Sequence, residues 1–119
     1  VAQRCAEDAK AAKVILDTYL EEVGERISIN NDCWYFMTQL PTMGRYDRFA
    51  MALAERMLEE RKDMDAFEFD TAAMAMFLAG RLRDAVELQE VAIEKGGGAN
   101  PTYTERLQRY KAAAEAAPR

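Results

Sequence analysis

From Thr71 to Ala79 the chain reads TAAMAMFLA, nine residues with no charge on any face. Alanine, methionine and leucine lose little rotamer freedom in a helix, so the segment predicts one. A helix that is apolar all round has to be covered on all sides. It is less than half the ~20 apolar residues a membrane span needs. The segment is therefore expected to be the central helix of a domain, and the rest of the chain must supply its cover.

The remaining sequence has the composition to do so. Of 119 residues, 50 % are apolar and 31 % charged, the balance of one globular domain with one core. Breakers are few, with three prolines and six glycines, and long stretches of Ala, Leu, Met, Glu, Lys and Arg lie between them. No run of β-branched residues alternates with polar ones, so strands are not expected. The class is all-α, with about six helices.

Hydrophobic spacing places them. Cys5, Ala9, Ala12, Leu16, Tyr19 and Val23 form one stripe of a first helix over 2–23. A polar link carrying Ile27 and Ile29 follows, and Asn30, Asn31 and Asp32 are good N-caps for a second helix over 33–40. Pro41 and Gly44 end it. A third helix over about 46–60 would bury Tyr46, Phe49, Ala50, Leu53 and Met57. Asp65 with Glu68 three residues on is a capping-box signature for the fourth, over 66–79, which Gly80 closes. The fifth is expected over 82–95. After three consecutive glycines, Asn100 and Pro101 supply an N-cap and a first helical residue. The last helix, with the stripe Tyr103, Leu107, Tyr110, Ala114, is expected to be a solvating cap.

Gly44-Arg45 recurs as Gly80-Arg81, 36 residues on. GRYDRFAMALAERMLEE can then be laid over GRLRDAVELQEVAIEKG, giving a unit of helix, glycine turn, helix. This arrangement resembles the tetratricopeptide repeat. The resemblance implies antiparallel helix hairpins stacked as a short α-solenoid, with small residues where paired helices approach. Ala73, Gly80, Ala85 and Ala92 fall on those steps in the second unit. In the first, Phe49 and Arg56 stand where small residues are expected, so that unit reads as degenerate. The division expected within the single domain 1–119 is a leading helix and link over 1–29, a degenerate repeat over 30–62, a better-matched repeat over 65–97 and a capping helix over 100–117.

The block DTAAMAMFLAGRLRDAVELQEVAIEKG, with NPTYTERLQRY after it, is also similar to the helical region found behind a thioredoxin-like domain in some bacterial proteins. That likeness implies an accessory part of a redox protein whose catalytic cysteines lie upstream, periplasmic if that protein is secreted; otherwise the compartment expected is the cytoplasm. Because the sequence starts at Val1, it is expected to be a piece of something longer.

Several chemistries are disfavoured. With no histidine, Ser-His and Cys-His nucleophilic sites and His-based metal ligation cannot be built. The triple glycine is not followed by Lys-Ser/Thr and is not a phosphate loop. The 63–70 segment lacks the spacing of a calcium loop. Cys5 and Cys33 sit 28 apart in no metal or redox spacing, and buried thiols are the expectation for both. No catalytic residue, cofactor or metal is expected. A net charge of −5, with seven acidic residues between Glu55 and Asp70, repels phosphate backbones and disfavours nucleic acid. No apolar run is long enough for a membrane.

What remains is protein binding. Trp34, Tyr35 and Phe36 are consecutive, so on a helix they cannot all face inward. A stack of the kind described would line its concave face with Asn31, Trp34 and Thr38 from one unit and Phe67, Asp70, Met74 and Phe77 from the next. Aromatics flanked by polar groups suit capture of a peptide, a helix or a neighbouring domain of the same polypeptide. Against this stands a plainer reading, in which Trp34, Met74 and Phe77 pack under the first and last helices. A homodimer joined through the first helix is a further alternative.

Overall fold

The computed structural model of the protein describes residues 14, 16–23, 25–39, 47–96, 98 and 100–117. Among these the secondary structure is helical throughout, with no strand. The order is α1 (residues 16–22 of the described part), α2 (Arg26–Thr38), α3 (Asp47–Leu58), a 3₁₀ turn (Arg61–Asp63), α4 (Ala66–Leu78), α5 (Leu82–Lys95) and α6 (Pro101–Ala116). No described helix is long and apolar enough to cross a membrane. The expected stripe residues Cys5, Ala9 and Ala12, the Pro41–Gly44 stop and Tyr46 lie outside the described residues.

The central-helix expectation holds for most of the run but not for its end, where Leu78 is 40 % exposed and Met74 and Phe77 are half-buried. α4 packs against α2, α3 and α5, and Phe69, Ala72, Ala73, Ala75 and Met76 are each at most 2 % exposed. Its start is set as the sequence implies, with the Glu68 Oε1 accepting from the Asp65 backbone N–H at 3.1 Å. Its end is a Schellman motif. Arg81 N–H donates to the Met76 carbonyl and Gly80 N–H to that of Phe77, with Gly80 at φ 81°. Only glycine takes that left-handed conformation at little cost, which lets α5 begin two residues later. Asn100 caps α6, its Oδ1 accepting from the N–H groups of Thr102 and Tyr103 at 3.0 and 3.3 Å.

The start of α2 departs from the sequence reading. The helix begins at Arg26, so Ile27 and Ile29 are helical and Asn30–Asp32 lie inside the helix instead of capping it. Tertiary contacts override the local cap signals. Ile29 is 1 % exposed in the core. Arg26 reaches across to Glu68, Nε to Oε2 at 2.5 Å, and to the Asp63 carbonyl at 2.8 Å. Asp32 accepts the Tyr19 hydroxyl at 2.6 Å, which ties α1 down.

The repeat register also differs. The buried residues of α3 are Ala50, Leu53, Ala54 and Met57, and those of α5 are Ala85, Leu88, Gln89 and Ala92. Each pair is 35 residues apart, not the 36 of the glycine–arginine pairs. The positions of α3 equivalent to Ala85 and Ala92 are thus Ala50 and Met57. Phe49 and Arg56, expected there, are one residue off that face and only half-buried. The first helices of the two units keep the interval of 36, with Cys33 and Met37 buried as Phe69 and Ala73 are. One residue more therefore separates the paired faces in the first unit than in the second. An amphipathic helix rotates by about 100° per residue, so the extra residue swings Phe49 out toward α1.

Candidate interaction groove

α2 and α4 lie side by side with α6 beyond them, and the seven expected groove residues all fall on this surface. They divide between two open depressions. The first, of about 380 Å³, includes Asn31, Trp34, Phe67 and Asp70 in its walls. The second, of about 310 Å³, takes Thr38, Met74 and Phe77. Arg106 of α6 separates them. Its guanidinium carbon lies 5.0 Å from the Trp34 ring centroid, within cation–π range. It also pairs with Asp70 Oδ2.

The seven differ in what they have left to offer a partner. Phe67 is 39 % exposed and Asn31 is exposed, while Trp34, Thr38, Met74 and Phe77 are half-buried. Asp70 is only 5 % exposed. Its Oδ1 accepts from Gln89 Nε2 at 3.0 Å while Oδ2 holds Arg106. Gln89 Nε2 donates a second time, to the Tyr103 carbonyl at 3.1 Å. Asp70 is thus a buried tie between α4, α5 and α6 rather than a hook for ligand. Thr38 spends its hydroxyl proton on the Trp34 carbonyl at 2.7 Å. Phe77 stacks on Tyr110, with centroids 4.8 Å apart. The plainer reading therefore describes Phe77, which α6 covers, better than Phe67.

Other residues join the seven in these walls, and Tyr35 is the one of the three consecutive aromatics that faces outward. Tyr35, 50 % exposed, and Asn30, buried with its Oδ1 free of any partner among the described residues, line the first depression. Arg106, Arg109 and Tyr110 line the second. Tyr110 belongs to the stripe expected of α6, and Arg106, four residues before it, shares that face, a spacing that also points to the arginine. Tyr110 is 2 % exposed. Burial, reinforced by the Asp70 charge, pushes its phenol up to about 12, so it stays neutral.

Two other features stand apart from the groove. Cys33 is a buried free thiol that donates to the Ala50 carbonyl at 3.3 Å. Burial pushes it up to about 12, which makes it a poor nucleophile. A larger depression between the 3₁₀ turn and α5 is walled by charged side chains from Glu59 to Asp63 and by Lys95. Several are already engaged, Arg61 with Glu87 and Lys95 Nζ with the Met64 carbonyl at 2.9 Å. Among the described residues no three acidic, cysteine or histidine side chains gather as a metal site. Compared with known proteins, the chain matches no family model, no curated sequence and no solved structure.

Proposed function

We propose that the protein is a non-catalytic interaction module whose α2–α4–α6 face docks a segment of another protein or of a neighbouring domain in a longer polypeptide. The observation that carries this reading is the pair of aromatics, Tyr35 and Phe67, left half-exposed on the rim of a depression that a buried Asn30 acceptor also lines. Aromatic anchors beside polar groups are the usual composition of a recognition hot spot. The sequential packing of α2 on α3, α3 on α4, α4 on α5 and α5 on α6, with α2 also touching α4, supports a tetratricopeptide-like stack, since each unit then contacts only its neighbours.

Trp34 is the only tryptophan, and it lines the first depression, so its emission reports on that site. Peptides selected from a displayed library on the purified protein are expected to shift that emission saturably. Phe67→Ser should weaken their binding about tenfold, the loss of one aromatic anchor, without lowering the thermal midpoint. Peptides that bind Phe67→Ser as tightly as the parent, or a library that yields none, would sink the proposal.

A further inference from the structure

The second depression differs in charge from the protein that carries it. The chain bears a net −5, yet the walls here hold two arginines and no carboxylate. Arg106 is neutralised by Asp70. Arg109, exposed on α6, makes no ion pair among the described residues. Between the arginines the lining is apolar, with Met37, Met74, Phe77 and the buried Tyr110 ring. Leu78 stands 40 % exposed at the edge. Methionine walls adapt to aliphatic side chains of different shape. An unpaired guanidinium at a rim selects a carboxylate, bidentately where the geometry allows.

Resting on the interaction reading above, we infer that the depression between α4 and α6 takes an acidic amphipathic peptide segment, with an aliphatic side chain seated between Met74, Phe77 and Leu78 and a neighbouring carboxylate on Arg109. A basic segment would bring like charge onto Arg109, and a neutral one would leave it unanswered. Charge at this rim therefore sets which partners are accepted, while the aliphatic contact supplies most of the holding.

Two labelled peptides of about 16 residues, roughly four helical turns, test this by fluorescence anisotropy. Both carry a leucine stripe on an otherwise uncharged polar background; one position beside the stripe is glutamate in one and lysine in the other. The glutamate peptide is expected to bind at least about tenfold more tightly, with the margin shrinking as salt screens the rim charge. Arg109→Glu should abolish or reverse the preference, and Arg109→Lys should keep most of it. As Arg109 is exposed and makes no ion pair among the described residues, its variants should melt with the parent. Equal affinity for the two peptides, or a preference unmoved by Arg109→Glu, overturns the inference. If neither peptide binds while library-selected peptides bind in a Phe67-dependent way, this inference falls and the broader interaction reading stands. If no peptide of any kind binds, both fall.

Discussion

The two helix pairs, α2–α3 and α4–α5, solve the same packing problem by different means. In the second, Ala85 and Ala92 are fully buried and Gln89 sits among them, donating to Asp70 of α4 and to α6. In the first, the equivalent face carries Ala50, Ala54 and Met57, all buried and without a polar tie at Ala54. Aromatic contact takes the place of that tie. Phe49 meets Tyr19 edge-on at 5.6 Å and Phe36 at 5.3 Å, so α1, α2 and α3 are held by rings. One extra residue between paired helices turns a different side chain outward, and the neighbouring element is recruited to match it.

Exchanging the two solutions should break them most severely. Ala54→Gln forces an amide into a site with no room and no partner, and is expected to cost about 3–4 kcal/mol from overpacking and unpaired burial together. The reverse change, Gln89→Ala, leaves Asp70 Oδ1 without its donor and should cost about 2 kcal/mol. Urea unfolding of both variants gives the two values; a smaller loss for Ala54→Gln than for Gln89→Ala would deny that the first unit is the drier one.

Phe49→Ala removes a half-buried ring and its two edge contacts, for an expected loss of about 2 kcal/mol. Hydrogen exchange adds the sharper readout. The amides of α1 should lose protection before those of α4 and α5, and uniform loss across all helices would argue against the rings as the local clamp.

The first unit also carries the buried thiol. With Cys33 pushed up to about 12 from its ordinary 9.0, the unfolded chain releases its proton first as pH rises. Folding stability from this group is therefore complete below about pH 9 and declines between 9 and 12, by on the order of 1 kcal/mol per pH unit. Denaturant midpoints between pH 8 and about 11 should fall, and Cys33→Ala should flatten that fall. A slope unchanged in the variant would place the alkaline sensitivity elsewhere.

The smallest difference lies at the helix starts. α6 has a bonded cap at Asn100, whereas Glu25 before α2 makes no side-chain cap bond. Asn100→Ala should cost about 1 kcal/mol, and Glu25→Asp should gain a few tenths. Thermal midpoints measured side by side decide it, and a gain at Glu25 equal to the loss at Asn100 would mean that α2 lacks nothing but its cap.

Helix existence was legible wherever periodicity and caps agreed. The bounds of α5, the Asp65–Glu68 start of α4, the Gly80 stop and the Asn100–Pro101 start of α6 all follow from side chains acting on their own backbone within a few residues. The start of α2 did not, because Arg26 is fixed by Glu68 and Asp63, partners far along the chain, and no local signal outweighs them. The groove was half legible. A helix face could be drawn from spacing, which grouped Asn31, Trp34 and Phe67. The Arg106 bridge that divides that face, and the burial of Asp70 beneath it, could not.

By itself the sequence determined a helical protein organised around an uncharged nine-residue run that must be largely buried, because helix propensity, capping and hydrophobic cover are properties of short segments. Only the tertiary structure decided the 35-residue register between α3 and α5 and the place of Arg109 and Tyr110 in the walls of the second depression. Both depend on how one helix is rotated against another, and that rotation is set by side-chain volumes meeting across the core, which sequence spacing does not record.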